Sequence, residues 1–584
     1  MSNDRSNEVD HERLDQLRAG QGPIEQHLID ELAAGRLGRR DFLRKATMFG
    51  IGLPLAGAML EAVAPAQSAA AAGIAHQAKS GATSSVMEPA RRGVGARIRA
   101  GTLVPAGAIN PLTIADSGGL DLLGNVGEFL VFTDQHNRYH PWLATSWKAN
   151  ADATVWTFKI RQGVRFNDGR HMTIDDVVYS LKTQCDPKSS ANALSVFGGT
   201  LEPEGVVKEN ETTLALHLKQ ADGGFLDAVS EDNYNMIIVP KNYDYANYQK
   251  DFIGTGRFKM KSYTPSVGAV YGRNPYYWGR AALPKEIEWS FYATETPMTA
   301  ALQSGSIDCL FQFSVAASPQ LLNGNYHVIS LKAAAHREIS MRTDLHPFTS
   351  RYVRQAIALS LDRPAIIRAL FQGRAQIGND SPFAPVFTST VGPPAVPQRK
   401  RDLRRAKHLL AKGGVPRGFR TPLVTETTQE MPHLAEIIAA SAKQIGVDIS
   451  LTIEAPSKYY GTATFGHSDW LDAKMSEVDY GARAVPNLYL EAPLQSPNKK
   501  TGEGSWNAAR FNNRGYDRLS REFVAAVDLS TQRRLARKIE LLLLDETPIM
   551  FPYFYDYLSA SQKNVRGTYP TAQGQFFLWN TTKT

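Results

Sequence analysis

The run Pro141-Trp142-Leu143-Ala144-Thr145-Ser146-Trp147 leads into Thr154-Val155-Trp156-Thr157-Phe158-Lys159-Ile160, then Asn167-Asp168-Gly169, then Thr173-Ile174-Asp175-Asp176-Val177-Val178-Tyr179-Ser180-Leu181. Val155, Thr157 and Lys159 alternate with Trp156, Phe158 and Ile160, the period of a half-buried strand. Asn167-Asp168-Gly169 supplies a tight turn, because Asn and Gly tolerate the backbone angles it needs. Thr173 and Asp176 stand at capping-box spacing and start a helix that turns Val177, Val178 and Leu181 inward.

Upstream, Gly38-Arg39-Arg40-Asp41-Phe42-Leu43-Arg44-Lys45 is a twin-arginine signal followed by the apolar run Ala46 to Leu60. As a helix that run would span roughly 22 Å, short of the ~30 Å hydrocarbon core, and Pro54 and three glycines weaken it further. It reads as a signal segment rather than an anchor. Ala64-Pro65-Ala66 offers a cleavage site, Ala70-Ala71-Ala72 a second one, and no nearby cysteine would carry a lipid. The expectation is a periplasmic protein, exported by the twin-arginine route and not lipid-anchored.

Residues 1–66 hold eight Lys/Arg and ten Asp/Glu, so the remainder carries 57 basic against 47 acidic residues, about +10. No basic run with interleaved aromatics, zinc-finger spacing or helix-turn-helix signature accompanies that charge, so no nucleic-acid partner is expected. A solvated surface accounts for most of it; an anionic ligand or anionic lipid headgroups would also suit it. Cys185 and Cys309, the only cysteines, are expected to be free thiols.

About 500 residues exceed one core. Residues 67–95 are rich in Ala, Ser and Gly and are expected to be a flexible lead-in. Beyond them, short β-branched and aromatic strands alternate with amphipathic helices, which predicts an α/β class with mixed sheets.

Enzyme signatures are absent: no Cys-x-x-Cys, His-Glu-x-x-His, Gly-x-Ser-x-Gly or phosphate-cradling glycine loop occurs. Gly466-His467-Ser468-Asp469-Trp470 misses the nucleophile elbow at its fifth position. His433 and Glu436 share a helix face but lack a third metal ligand nearby. Neither metal nor cofactor is expected.

Three further blocks stand beside the opening one. They are Gly254–Lys259 with Arg273-Asn274-Pro275-Tyr276-Tyr277-Trp278-Gly279 and Met298–Asp308; Phe348–Arg363, where Val353, Ile357 and Leu361 recur at helical spacing; and Asn507–Asp517. Trp278 is expected to pack against the neighbouring strand. In order and spacing the four blocks resemble the family 5 extracellular solute-binding proteins, the peptide, nickel and opine receptors of ATP-binding-cassette importers. That resemblance covers most of residues 98–565.

The resemblance implies a two-lobed periplasmic binding protein fold of type II, with mixed sheets, an extra subdomain and a ligand cleft between the lobes. Carried over, lobe one comprises 96–312 with 545–584, its extra subdomain 131–250, and lobe two 313–544. It implies a monomeric receptor that hands a peptide or similar small solute to an inner-membrane permease and catalyses nothing. A non-transport sensory role and a periplasmic hydrolase on the same scaffold remain as alternatives.

Peptide receptors of this family clamp the ligand's α-ammonium with a Trp-x-x-Asp-Tyr-x-Asp-Pro pattern. Here Tyr480 falls at the tryptophan and Arg483 at the anchoring aspartate, with Asp479 displaced by four residues. A guanidinium offers its fork to a carboxylate or phosphate, so the anchor changes sign. The expected ligand is anionic, or peptide-like without a free amino terminus. Alternatively, Arg483 faces solvent or pairs with Asp479 or Glu477. Trp470, Tyr459, Tyr460, Trp506 and Asn507 stand near expected strand ends of lobe two, and Asp116 and Ser117 sit where the family places lobe-one contacts. These residues complete the expected site.

Overall fold

The computed structural model describes residues 95–584, apart from 115, 190, 198 and 499–503. The signal segment 1–66 and all but the last residue of the lead-in 67–95 lie outside the described residues.

The opening block folds as its residues dictate. Strand Val155–Ile160 buries Trp156, Phe158 and Ile160 and turns its alternate residues outward. Gly169 takes a left-handed φ of 96° in the following turn. Thr173 and Asp176 close the capping box at the start of helix Ile174–Cys185. This helix covers a four-stranded antiparallel sheet ordered Ala144–Ala149, Val155–Ile160, Thr213–His217, Val206–Asn210, all within the expected extra subdomain.

That sheet flanks two larger ones. In the first, Arg97–Leu103 lies parallel to Glu286–Tyr292 and to Cys309–Phe313. Gly268–Arg273 and Phe258–Thr264 extend one side, while Tyr557–Ser561 and His327–Leu331 extend the other. In the second, Phe419–Glu426 runs parallel to Val447–Glu454 and Met475–Tyr480, and Met475–Tyr480 pairs antiparallel with His336–Met341. Ile549–Met550, Tyr553–Tyr555 and Ala375–Ile377 complete it.

Sheet membership corrects the sequence-based boundaries. The chain leaves the first sheet after Leu331 and joins the second at His336, then crosses back between Tyr555 and Tyr557. The expected changes at 312/313 and 544/545 fall short of both crossings. The reason is that His327–Leu331 pairs with the returning strand Tyr557–Ser561, a partner more than two hundred residues away that local pattern cannot reveal.

Trp278 packs against the core, edge-on to Trp142, and also carries a polar role that the sequence did not show. Its indole Nε1–H donates to the buried carboxylate of Glu128 at 2.9 Å, with the Arg161 guanidinium 4.1 Å above the ring. Glu128 also accepts from Trp142 Nε1 (2.9 Å), Tyr277 OH (3.0 Å) and Thr255 Oγ1 (2.8 Å). One carboxylate thus ties the Pro141-Trp142 segment to the Arg273–Gly279 segment and the strand entry between them. Both cysteines are buried and unbridged. No helix among the described residues is long and apolar enough to cross a membrane.

Candidate functional site

Strand Met475–Tyr480 runs out of the second sheet into the loop that carries Arg483. The Tyr480 ring stacks on His336 and meets Tyr489 edge-on, and Tyr489 OH donates to Gly481 O at 2.6 Å. With its aromatic root packed, the loop turns Arg483 toward a cavity of about 400 Å³. One wall comes from Leu194, Val196, Gly199, Thr200 and 220–228 of the extra subdomain, the other from 483–492, Ser505, Trp506 and Val524 of lobe two. Leu194, Val196, Val485, Leu488 and Trp506 supply apolar surface; Gln220, Asp222, Asp227, Arg483 and Asn487 supply polar groups. Such a mixture suits a polar solute with an apolar body.

The two walls touch. Asn487 Nδ2 donates to Asp222 Oδ1 at 3.0 Å, and Gly223 N donates to Val524 O at 2.8 Å. A Cβ on Gly223 would lie 2.1 Å from Ala526 O, so only glycine permits this approach. Gly223→Ala is therefore expected to weaken solute affinity at least about tenfold by blocking lobe contact. Calorimetric titration with the natural solute checks it; an unchanged Kd contradicts the expectation.

Charges at the cavity oppose one another. Burial pushes Asp222 up to about 6, against hydrogen bonds from Gly224 N–H and Asn487. Burial, then the neighbouring Asp232 charge, raises both Asp227 and Glu231. Asp232 is raised by burial too, while Asp227, Thr133, Ser230 and the Arg483 charge pull it down. Arg483 Nη1 donates only to Ala482 O, and its buried Nε has no partner. No carboxylate lies within ion-pair distance of Arg483 among the described residues.

The alternative pairing of Arg483 is thereby corrected. Asp479 is taken by Arg337 and by Tyr555 OH at 3.1 Å, and Glu477 is fully buried on the same face of the strand, beside Arg337. Of the residues expected at the site, the cavity brings together Arg483 and Trp506. Tyr480 lies behind the loop in the core, and Trp470 is buried between Tyr460 and Trp506. Tyr460 OH donates to Glu426 Oε1 at 3.0 Å; the neighbouring Tyr459 is fully buried. Asn507 spends its amide on Gln495 O, Phe511 O and Phe511 N inside lobe two. Asp116 caps helix Ser117–Val126 by accepting from Gly119 N, and Ser117 opens that helix; neither lines the cavity.

Sequence reading missed Asp222, Gly223, Asp227 and Asn487. The Gly223-Gly224 pair after Asp222 marks a turn, but nothing local shows that it meets the other lobe. His433 and Glu436 form an exposed pair at 3.3 Å, and no cluster among the described residues could hold a metal ion. Ser468 Oγ donates to Tyr460 O at 2.7 Å, a structural bond.

Comparison with known proteins agrees with this architecture. The chain is 27% identical over 444 residues to heme-binding protein A of Haemophilus influenzae, covering 70% of this chain and 77% of that protein. It is 26% identical over 456 residues to the nickel-binding periplasmic protein of Escherichia coli K12, covering 74% and 84%. Among solved structures, HbpA2 from Haemophilus parasuis superposes with a TM-score of 0.72 at 21% identity, over 84% of this chain and all of that one. The DppA periplasmic binding protein of Helicobacter pylori, in complex with the peptide STSA, gives 0.68 at 21% identity, over 84% and 98%. The fold is that of the two-lobed periplasmic binding proteins. The family model for bacterial extracellular solute-binding proteins, family 5 Middle, matches residues 138–488, more than half of the sequence, and this chain belongs to that family.

Proposed function

We propose that the protein is a monomeric periplasmic receptor, exported by the twin-arginine route, that captures a small peptide-like solute for the permease of an ATP-binding-cassette importer. It makes and breaks no bond in the solute. Arg483 receives an anionic group of the ligand, a carboxylate or phosphate, and Trp506 covers an apolar or planar part. The observation that carries this reading is the cavity itself: a half-apolar chamber between lobes, with a guanidinium that lacks an ion-pair partner. A half-buried cation whose Nε is closed off from water is suited to an anionic partner. Asp222 and Asp227 on the opposite wall favour a solute that also offers a donor or cationic group, so a peptide keeping its amino terminus fits better than one lacking it.

Ligand shifts the lobes toward contact only by its extra affinity for that form. Native mass spectrometry of the purified protein is expected to release an intact solute carrying an acidic group. Turnover of an added substrate library would favour the hydrolase instead. Arg483→Asp is expected to weaken affinity for that solute about a hundredfold, since a fork donor becomes a like charge. An unchanged Kd refutes the anchor.

Acidity provides a separate check. Asp222 sits at about 6 where the lobes meet, above the ordinary carboxylate value near 3.9 expected with the lobes apart. Contact therefore takes up a proton between those values, so falling pH favours the closed pair and the gain vanishes as pH rises past about 6. Asp222 keeps part of its surface open to the cavity, which reduces the effect to about three- to tenfold in affinity between pH 7 and 5. Asp222→Asn is expected to remove that dependence while keeping an Asn487 contact.

A further inference from the structure

We propose that helix Leu403–Lys412 and its flanks dock lobe two on an anionic bilayer surface. The excess charge is not spread over the molecule. Residues 336–555 carry thirty Lys/Arg against twenty-two Asp/Glu, a net +8, whereas 95–335 and 556–584 carry twenty-four of each. The densest part is 399–420, with nine Lys/Arg and one acid, Asp402, whose carboxylate caps the helix by accepting from Arg405 N.

The helix is built to present this charge. Ala406, Leu409 and Leu410 are buried, and the element packs on helix Arg351–Ser360. Arg404, Arg405 and Lys407 stand exposed on the opposite side, with Lys400 and Arg417 at its two ends. None of these five has a carboxylate within ion-pair distance among the described residues, although Arg420 nearby pairs with Asp448 at 3.1 Å. Adjacent unpaired cations repel one another, a cost that an anionic partner would remove.

The chemistry of the surface favours lipid over a protein partner. Protein interfaces are anchored by buried aromatic or aliphatic side chains. No large hydrophobic residue is exposed between 399 and 420. A row of exposed cations without an apolar anchor suits the diffuse negative charge of phospholipid headgroups, at a strength that grows with each Lys or Arg. Such docking would hold the receptor near the membrane without inserting it, and none of the residues 399–420 lines the cavity.

The test uses the full mature chain and vesicles of 30% phosphatidylglycerol in phosphatidylcholine, free of protein. Sedimentation at 50 mM salt is expected to carry the protein down, with at least tenfold weaker binding at 300 mM salt and none to pure phosphatidylcholine. Arg404→Glu, Arg405→Glu and Lys407→Glu together are expected to reduce binding about a hundredfold, with circular dichroism unchanged. Lys148→Glu, Lys182→Glu and Lys188→Glu alter net charge equally on exposed lobe-one positions and are expected to leave binding within about threefold. Absence of binding at 50 mM salt overturns the proposal, even if the surface then engages purified permease. So does equal loss in the two triple variants.

Discussion

Glu128→Ala lowers the stability of lobe one by about 4 kcal/mol or more, the largest loss expected of a single substitution in that lobe. Four donors converge on this carboxylate, two per oxygen: Trp142 and Tyr277 on one, Trp278 and Thr255 on the other. Removing the acceptor leaves four buried or half-buried donors without partners, and each carries a desolvation cost of about 1–3 kcal/mol that relaxation and water entry reduce. The Arg257 guanidinium, held among the rings of Trp142, Tyr277 and Trp579, also loses its nearest counter-charge. Glu128→Gln does not rescue, because its amide nitrogen presents hydrogens to two of the donors. Trp142→Phe removes one donor together with its partner bond and costs about 1 kcal/mol by that route. Urea unfolding followed by tryptophan fluorescence reads all three variants; a loss below about 1 kcal/mol for Glu128→Ala would show that the hub carries little.

The second large effect lies in lobe two. Arg337→Met is expected to cost about 3–5 kcal/mol near neutral pH. Arg337 is fully buried and serves Glu430 (3.0 Å), Asp479 and the Gln429 carbonyl (2.9 Å), while stacking over Tyr555 at 4.6 Å. Glu477, buried behind it, is raised by burial and lowered chiefly by the Arg337 charge. Methionine fills most of the volume but leaves these acids facing one another without a cation. Glu477, already raised by burial, then loses the cation that lowers it, so the variant gains stability on acidification and loses it as pH increases. The gap between wild type and variant should be widest near pH 8 and narrow toward pH 5. A gap independent of pH would mean that lost packing, not lost charge, is the cause.

These two clusters show where sequence reading stops. Trp142, Trp278 and Arg257 all fall within the blocks that carry the family resemblance, yet Glu128 lies outside every one of them. Its role exists only because segments separated by some 150 residues converge on it. Arg337 likewise meets Asp479 through strand register, His336–Met341 against Met475–Tyr480, and Glu430 at the start of helix Met431–Lys443; register is a property of the folded sheet. At the site, the family resemblance implied an arginine at the ligand-anchoring position, with a solvent-facing or ion-paired Arg483 as the alternative. The tertiary structure selected the cavity-lining position for Arg483 and alone revealed that Asp222 and Asn487 meet across it.

By itself the sequence determined what local chemistry controls: the alternation of Val155–Ile160, the turn at Gly169, the capping box at Thr173 and the amphipathic helices around them. These rest on periods of two and 3.6 residues and on caps within one turn, so a short window contains the whole cause. The tertiary structure alone decided the crossings at 332–335 and 556, the partners of each buried charge and the walls of the cavity. Each of those depends on contacts between residues far apart in the chain, whose pairing is selected by burial and register in the assembled fold rather than by any neighbour in sequence.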